Sequence, residues 1–143
     1  MTGFLGSYLY QVDSKGRVTL PAAFRRGSDS LSLVLVQAFP DALALYPDEN
    51  WRAVEERLEE FVQRNPERRR DALRFTANAY SVSPDKQGRI LVPDRLRVVI
   101  GIEEEVLIVG ALKRIELWNP DQFAQSDRQL DDEELSAIQT IFL

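Results

Sequence analysis

The chain has 143 residues, 44% of them hydrophobic and 29% charged, which gives room for one ordinary domain or for two small modules that share a core. It contains no cysteine and no histidine, so it lacks disulfides, thiolate metal sites and the general base that enzymes use most often. A net charge of −5 argues against a nucleic-acid partner unless the cations are concentrated on one surface.

No segment resembles a signal peptide or a membrane span. The first six residues carry neither a basic region nor a long apolar run, and no stretch of about 18 apolar residues occurs anywhere. We therefore expect a cytoplasmic protein without a membrane partner.

The two halves of the chain repeat each other. A shift of 72 positions places Asp13-Ser-Lys-Gly-Arg17-Val-Thr-Leu-Pro21 on Asp85-Lys-Gln-Gly-Arg89-Ile-Leu-Val-Pro93. The same shift, without a gap, matches residues of the later elements. The matched pairs include Arg25 with Arg97, Val34 with Val106, Leu35 with Leu107, Val36 with Ile108, Leu43 with Ile115 and Tyr46 with Trp118. Because the match holds through several elements, it indicates two copies of one module.

In chain order, the first copy opens with two short strands, Leu9 to Val12 and Arg17 to Leu20, joined by a tight turn that Gly16 allows. Pro21 ends the second strand, and residues 22–26 are predicted to form one or two helical turns that end at Gly27.

Two β-rich runs follow, Leu31 to Val36 and Leu43 to Tyr46. An amphipathic helix is then predicted from near Asp48, and Asn65-Pro66 starts a second helix that runs to about Ala79.

The second copy repeats these elements. Its closing helix is predicted to begin with Asn119 as the cap and Pro120 at the first helical position. Leu130 to Leu143 reads as an acid-capped helix whose apolar face needs a partner. We expect a first module at 5–50 with its closing helix to about 63, a linker helix at 64–79, a second module at 80–124 and an acidic C-terminal segment at 125–143.

The repeated turn is the candidate site. In each copy the Asp side chain can accept N–H groups of its own turn, and the Arg four positions later can be held in a fixed direction that suits a phosphate or a base edge. The candidate DNA contacts are Lys15, Arg17, Lys86 and Arg89, the turn-forming residues are Asp13, Gly16, Asp85 and Gly88, and further candidate contacts are Arg25, Arg26 and Arg97. On the motif alone, a turn lock with a surface ion pair is the favoured interpretation, and the presence of the Asp–Arg pair in both copies weighs against it.

These residues resemble the MraZ family, whose members carry two AbrB-type swapped-hairpin modules, each marked by an Asp-x-x-x-Arg turn. The resemblance extends over nearly the whole chain, from the first turn through Leu45-Tyr46-Pro47, Asn65-Pro66 and the second turn to Glu116-Leu117-Trp118. The second copy departs from the first at Pro84, before the Asp, and at Gln87 in the loop.

The resemblance implies a double-split β-barrel core with helices and ring-like homo-oligomers that associate with the nucleoid. It also implies binding to repeated promoter elements in double-stranded DNA, and repression of the family's own gene and its division and cell-wall gene cluster. By position, Asp13 with Arg17 and Asp85 with Arg89 take the motif roles.

Three alternatives stay open. An enzyme is disfavoured because no phosphate loop, nucleophile elbow or metal-ligand spacing occurs, so no catalytic, cofactor or metal site and no small-molecule substrate is expected. An antitoxin would use the same hairpin module, and a purely structural oligomer would not bind DNA. The arginine cluster at 64–74 either contacts DNA or pairs, within the chain or across subunits, with acidic side chains such as Glu55, Glu56, Glu59 and Glu60.

Overall fold

A computed structural model describes residues 3–25, 31–126 and 129–143 of the chain. Arg26 and Gly27, from the predicted helical turn of the first copy, lie outside these residues. The strands are β1 Ser7–Gln11, β2 Arg17–Thr19, β3 Leu33–Phe39, β4 Ala42–Pro47, β5 Tyr80–Val82, β6 Arg89–Leu91, β7 Glu105–Gly110 and β8 Ile115–Trp118. The helices are α1 Asp48–Arg64, α2 Arg69–Thr76, α3 Asp94–Ile100, α4 Pro120–Ser126 and α5 Asp132–Phe142, with 3₁₀ turns at Ala22–Phe24 and Pro66–Arg68.

The strands form a six-stranded antiparallel sheet in the order β1-β7-β8-β4-β3-β5 and a two-stranded ribbon of β2 and β6. The first strand of each copy pairs with the other copy, because β1 lies against β7 and β5 lies against β3. The second strands of the two copies pair with each other in the ribbon. Each repeat therefore completes the sheet of the other.

Matched residues meet at the centre of this arrangement. In the ribbon Val18 lies opposite Ile90, and in the large sheet Ala44 lies opposite Glu116. Both pairs are separated by the 72 positions of the sequence repeat. A pseudo-two-fold axis thus passes between β2 and β6 and between β4 and β8.

The match of β3 to β7 is shifted by one residue from the ungapped comparison. Val106 lies opposite Tyr10, whereas Leu33 lies opposite Val82, the match of Tyr10. Leu33, and not Val34, therefore corresponds to Val106 in the repeat. The sequence matches of Leu35 with Leu107 and of Val36 with Ile108 were wrong by the same one residue. A register shift in the second half of β3 restores the spacing before β4.

One apolar core joins the ribbon to the large sheet. The inward residues of the ribbon, Val18 and Ile90, are fully or almost fully buried in the same cluster as Leu35, Leu45 and Leu117. The two copies therefore share one core. Because burial of apolar surface is the main favourable term in folding, we expect each copy to depend on the other for stability. The large sheet is open, with β1 and β5 at its edges, so the described residues form a sheet-plus-helix fold of two repeats, not a closed barrel.

The last two helices begin at side-chain caps. The Asn119 side-chain oxygen accepts the N–H groups of Asp121 at 2.8 Å and Gln122 at 3.2 Å, as predicted for a helix that starts at Pro120. Asp131 and Glu134 form a capping box at the start of α5. The helix after Asn65 ends at Thr76, earlier than expected, because the chain must enter the edge strand β5. Within the described residues, no helix combines the length and the apolar character needed to cross a membrane.

Candidate nucleic-acid interface

The first turn, at residues 13–17, is closed by the carboxylate of Asp13. Its Oδ1 accepts the backbone N–H of Lys15 at 2.9 Å and of Arg17 at 2.8 Å, and its Oδ2 accepts the Nε–H of Arg17 at 2.7 Å. Gly16 has a φ of 80°, in the left-handed region, and donates its N–H to the Asp13 carbonyl at 3.0 Å. One carboxylate therefore shapes the loop and orients the guanidinium that leaves it.

The second turn has the same geometry. Asp85 accepts the backbone N–H groups of Gln87 and Arg89 and the Nε–H of Arg89, each at 2.9 Å. Gly88 has a φ of 79°. Gln87, where the first copy has Lys15, contributes only its backbone N–H to this pattern, so this departure from the repeat leaves the turn unchanged.

The same contacts keep both turns charged. The backbone N–H of Arg17 is the largest influence that lowers the pKa of Asp13, and that of Arg89 does the same for the pKa of Asp85. Both carboxylates are thus ionised at neutral pH and hold their arginines by charge-assisted hydrogen bonds. These bonds use Nε, and within the described part of the chain no hydrogen bond occupies the Nη groups of Arg17 or Arg89.

A second arginine from the opposite copy covers each turn. A Cβ added to Gly16 would lie 2.9 Å from Nη2 of Arg97, and one added to Gly88 would lie 2.5 Å from Nη1 of Arg25. The positive φ of each glycine disfavours a side chain there, and a Cβ at either position would also force the guanidinium of the covering arginine to shift. The sequence named Arg25 and Arg97 as candidates but did not show that each covers the turn of the opposite copy.

The two covering arginines differ in their partners. Arg97 donates to the carboxylate of Asp94 and, through Nε, to the carbonyl of Val92 at 3.3 Å. The Nε of Arg25 is buried and has no hydrogen-bond partner among the described residues. Ala22 holds the place of Asp94 in the first copy, so the acid is missing there.

The ribbon presents both turns on one structural unit. Its outward residues pair across the strands, Arg17 with Leu91 and Thr19 with Arg89. Leu20 donates its N–H to the Gly88 carbonyl at 2.8 Å, and Val92 donates to the Gly16 carbonyl at 3.1 Å. The turns therefore lie at opposite ends of the ribbon, roughly 13 Å apart for four residues of extended chain.

The structure thus brings together six of the seven predicted cations. They are Lys15, Arg17, Arg25, Lys86, Arg89 and Arg97, with Asp13, Asp85 and Asp94 as the acids bonded to them. Arg26, the seventh, lies outside the described residues. On the ribbon, six cations thus stand against three bonded acids, although the chain as a whole carries −5.

Other charged and aromatic groups have local partners. Arg64 pairs with Glu60 at 2.6 Å and Arg68 with Asp71 at 3.0 Å. Trp118 packs on Phe123 with ring centroids 5.1 Å apart, and the matched rings of the first copy, Tyr46 and Trp51, lie 5.6 Å apart. In the residues that the structure describes, no cluster of three or more acidic side chains is placed to hold a metal ion.

Comparison with known proteins agrees with the repeat. A family model described as MraZ protein and antitoxin-like matches the chain twice in tandem, at residues 4–74 and 75–141. A protein of Desulfitobacterium hafniense named Transcriptional regulator MraZ is 33% identical over 138 residues, which cover 96% of each chain. Proteins with the same name from Clostridium tetani and Caldicellulosiruptor saccharolyticus are 33% and 36% identical and cover 93% and 92% of this chain and 94% and 90% of their own lengths. With both halves matched in order and relatives aligned over almost their full length, the chain belongs to the MraZ family.

Proposed function

We propose that this protein is a transcriptional regulator that binds double-stranded DNA through the two turns of its β2–β6 ribbon. The name shared by its relatives, transcriptional regulator, supports the biological role. The proposed contacts are the four turn cations Lys15, Arg17, Lys86 and Arg89, with Arg25 and Arg97 behind them. No residue is assigned a catalytic role.

The observation that carries the proposal is the shared geometry of the two turns. Asp13 and Asp85 fix the direction of Arg17 and Arg89 through Nε, and the Nη groups are left as donors. Guanidinium groups with fixed direction suit phosphate oxygens or the O6 and N7 atoms of guanine. A two-stranded ribbon is also a known reader of the major groove. A turn lock explains the Asp–Arg pair but not two additional arginines over the same turns.

The acidity of the whole chain does not oppose this role, because a partner responds to the local field. Arg64 and Arg68 of the 64–74 cluster also pair with acids, but these arginines are more than half exposed, whereas Arg17 and Arg89 are less than one third exposed and are held by their turns. We therefore place the DNA contact on the ribbon and not on the 64–74 cluster.

One chain has few phosphate contacts, and such contacts alone give a non-specific Kd of about 10⁻⁴ to 10⁻⁶ M at physiological salt. We propose that several chains assemble into a ring-like homo-oligomer whose ribbons bind repeated promoter elements, which can raise avidity by about 10²–10⁴. Within each chain the large sheet and the ribbon, which share one core, would then be the two parts of a double-split barrel built from modules at 5–50 and 80–124. We also propose that the protein represses its own gene and the division and cell-wall gene cluster, acting in the cytoplasm and on the nucleoid.

A gel-shift titration tests the function. The purified protein is titrated against the DNA upstream of its own gene and against a shuffled duplex of equal length, at two salt concentrations. We expect tighter binding to the upstream DNA and weaker binding to both at higher salt. Equal affinity for the two duplexes would contradict a regulator with its own promoter as target, and no binding at low salt would contradict DNA binding.

A further inference from the structure

The two arginines that cover the turns have unlike surroundings. Nη2 of Arg97 is the atom nearest to the Gly16 position, and it donates to the carboxylate of Asp94. Nη1 of Arg25 is the atom nearest to the Gly88 position, but Arg25 makes no hydrogen bond or ion pair within the described residues, and its Nε is buried. A buried N–H of a cation that lacks an acceptor is costly, and it is typical of a site that a bound anion or water completes.

This difference has a local cause in each copy. Arg97 lies within α3 and follows Asp94 by three residues, so the two side chains share one face of the helix. Arg25 instead follows a 3₁₀ turn of three residues, and its φ of −103° and ψ of 50° are not helical. Ala22, in the place of Asp94, has no acceptor group in its side chain. The first copy therefore leaves the charge of its covering arginine uncompensated.

The strands that lead into the turns differ in charge as well. Glu104 accepts the backbone N–H of Val12, immediately before the first turn, at 2.8 Å, and Glu105 follows it at the start of β7. By the structural match of β3 to β7, their counterparts are Leu31 and Ser32, where β3 approaches the strand that enters the second turn. Both glutamates are exposed. The first turn therefore has acids beside it at two places where the second has uncharged residues.

The two ends of the ribbon thus carry unequal charge. We call the first turn with Arg97 the first end, and the second turn with Arg25 the second end. Each end has three cations. Among the described residues, two acids are bonded to the cations of the first end, Asp13 and Asp94, and one to those of the second, Asp85. An anion therefore meets the stronger positive field at the second end.

We propose that the second end is the stronger phosphate-binding end of the ribbon and that Arg25 itself donates to a DNA phosphate there. Arg97 holds the first turn through Asp94 and makes no such contact. Arg25 lies over the backbone of the turn, at the end of the ribbon and not on its outward face, so its ligand is a phosphate at the edge of the groove and not a base within it. The inference rests on the DNA binding stated under Proposed function and adds that the two turns contribute unequally to it.

Removal of each covering arginine compares the two ends. Arg25→Gln and Arg97→Gln are titrated against the upstream DNA at several salt concentrations, and circular dichroism confirms that both are folded. For Arg25→Gln we expect about tenfold weaker binding at low salt and a loss of about one unit in the slope of log K against log salt. Arg97→Gln should bind within about twofold of the wild type, because it loses no phosphate contact. Equal losses in the two variants, or a greater loss for Arg97→Gln, would contradict the proposal.

A second variant keeps Arg25 and changes only its partner. Ala22 is exposed, so Ala22→Asp can supply the missing acid without disturbing the core. The new carboxylate should hold Arg25 as Asp94 holds Arg97, and DNA binding should weaken by about tenfold. Gln63→Asp, at an exposed position on α1, adds the same charge away from the ribbon and should change affinity by no more than about twofold. Equal affinity of the two variants would show that binding does not need a free Arg25.

Inorganic tripolyphosphate separates this proposal from the proposed function, because it presents phosphate without DNA. In calorimetric titrations of the full chain, we expect Arg25→Gln to weaken tripolyphosphate binding by about tenfold and Arg97→Gln to leave it nearly unchanged. This order of affinities in a protein that does not bind the upstream DNA would contradict the proposed function and support unequal ends. Binding of the DNA with equal effects of the two variants on both ligands would support the function and contradict unequal ends. A wild type that binds neither ligand at low salt would contradict both.

Discussion

Val18 and Ile90, which stand at the same place in the two repeats, lie directly opposite each other in the ribbon. Both side chains are buried in the core that the ribbon shares with the large sheet. Each repeat therefore supplies half of the ribbon and half of the core beneath it, and the DNA-binding surface proposed above exists only when both halves are folded together.

This relationship predicts that a fragment of residues 1–78 folds only as a dimer. Alone, it lacks the partners of β1 and β2, but a second copy can supply them through the pseudo-two-fold arrangement. Circular dichroism over a range of concentrations, with sedimentation to give the mass, measures this. A folded monomer at all concentrations would show that one repeat has a sufficient core.

The contact between Gly88 and Arg25 gives a second prediction, for stability and DNA binding. Gly88→Ala places a side chain at a φ of 79° and 2.5 Å from Nη1 of Arg25. We expect the free energy of unfolding to fall by about 1–2 kcal/mol, because alanine is strained in the left-handed backbone. We also expect about tenfold weaker DNA binding, because Arg25 must move and the charged hydrogen bond proposed between Arg25 and DNA is lost.

Gly101→Ala is the matched control, since Gly101 also has a positive φ, 72°, but lies against Asn119 and not against a turn arginine. It should reduce stability to a similar extent and leave the DNA affinity of the folded protein unchanged. Equal loss of affinity in the two variants would mean that Arg25 has no part in binding.

The two aspartates give a third prediction, for pH. Their pKa values are lowered in the folded protein, so their contribution to stability is complete above the unfolded value of about 3.9 and is lost as pH falls through the lower folded pKa. Urea unfolding of the wild type and of Asp13→Asn with Asp85→Asn should show a constant difference from pH 7 to 5. The difference should shrink below pH 4. A gap that persists unchanged at pH 3 would mean that the ionised carboxylates do not stabilise the turns.

The local features of the site could be predicted from the sequence because their causes are local. Asp13 and Gly16 determine one turn through contacts within five residues, and the same is true of the Asn119 cap. The amphipathic pattern of α5 likewise predicts an exposed apolar stripe, which the structure has.

The pairing of the strands could not be predicted in the same way. Alternation of apolar residues marks β1 as a strand but does not name β7 as its partner. The one-residue shift of β3 against β7 was also hidden, because Leu33, Val34 and Leu35 are all apolar and any of them can be matched to Val106. Only the three-dimensional contacts show that Arg25 and Arg97 cross to the opposite turns.

The salt dependence of DNA binding by Arg17→Ala with Arg89→Ala tests the central claim most directly. The plot of log K against log salt should lose about two units of slope, one for each phosphate contact, and affinity should fall at low salt. Arg52→Ala with Arg57→Ala, which removes the same charge from exposed positions on α1, should leave the slope unchanged. If the two double variants bind with the same slope and affinity while both remain folded, the turns are not the DNA contact.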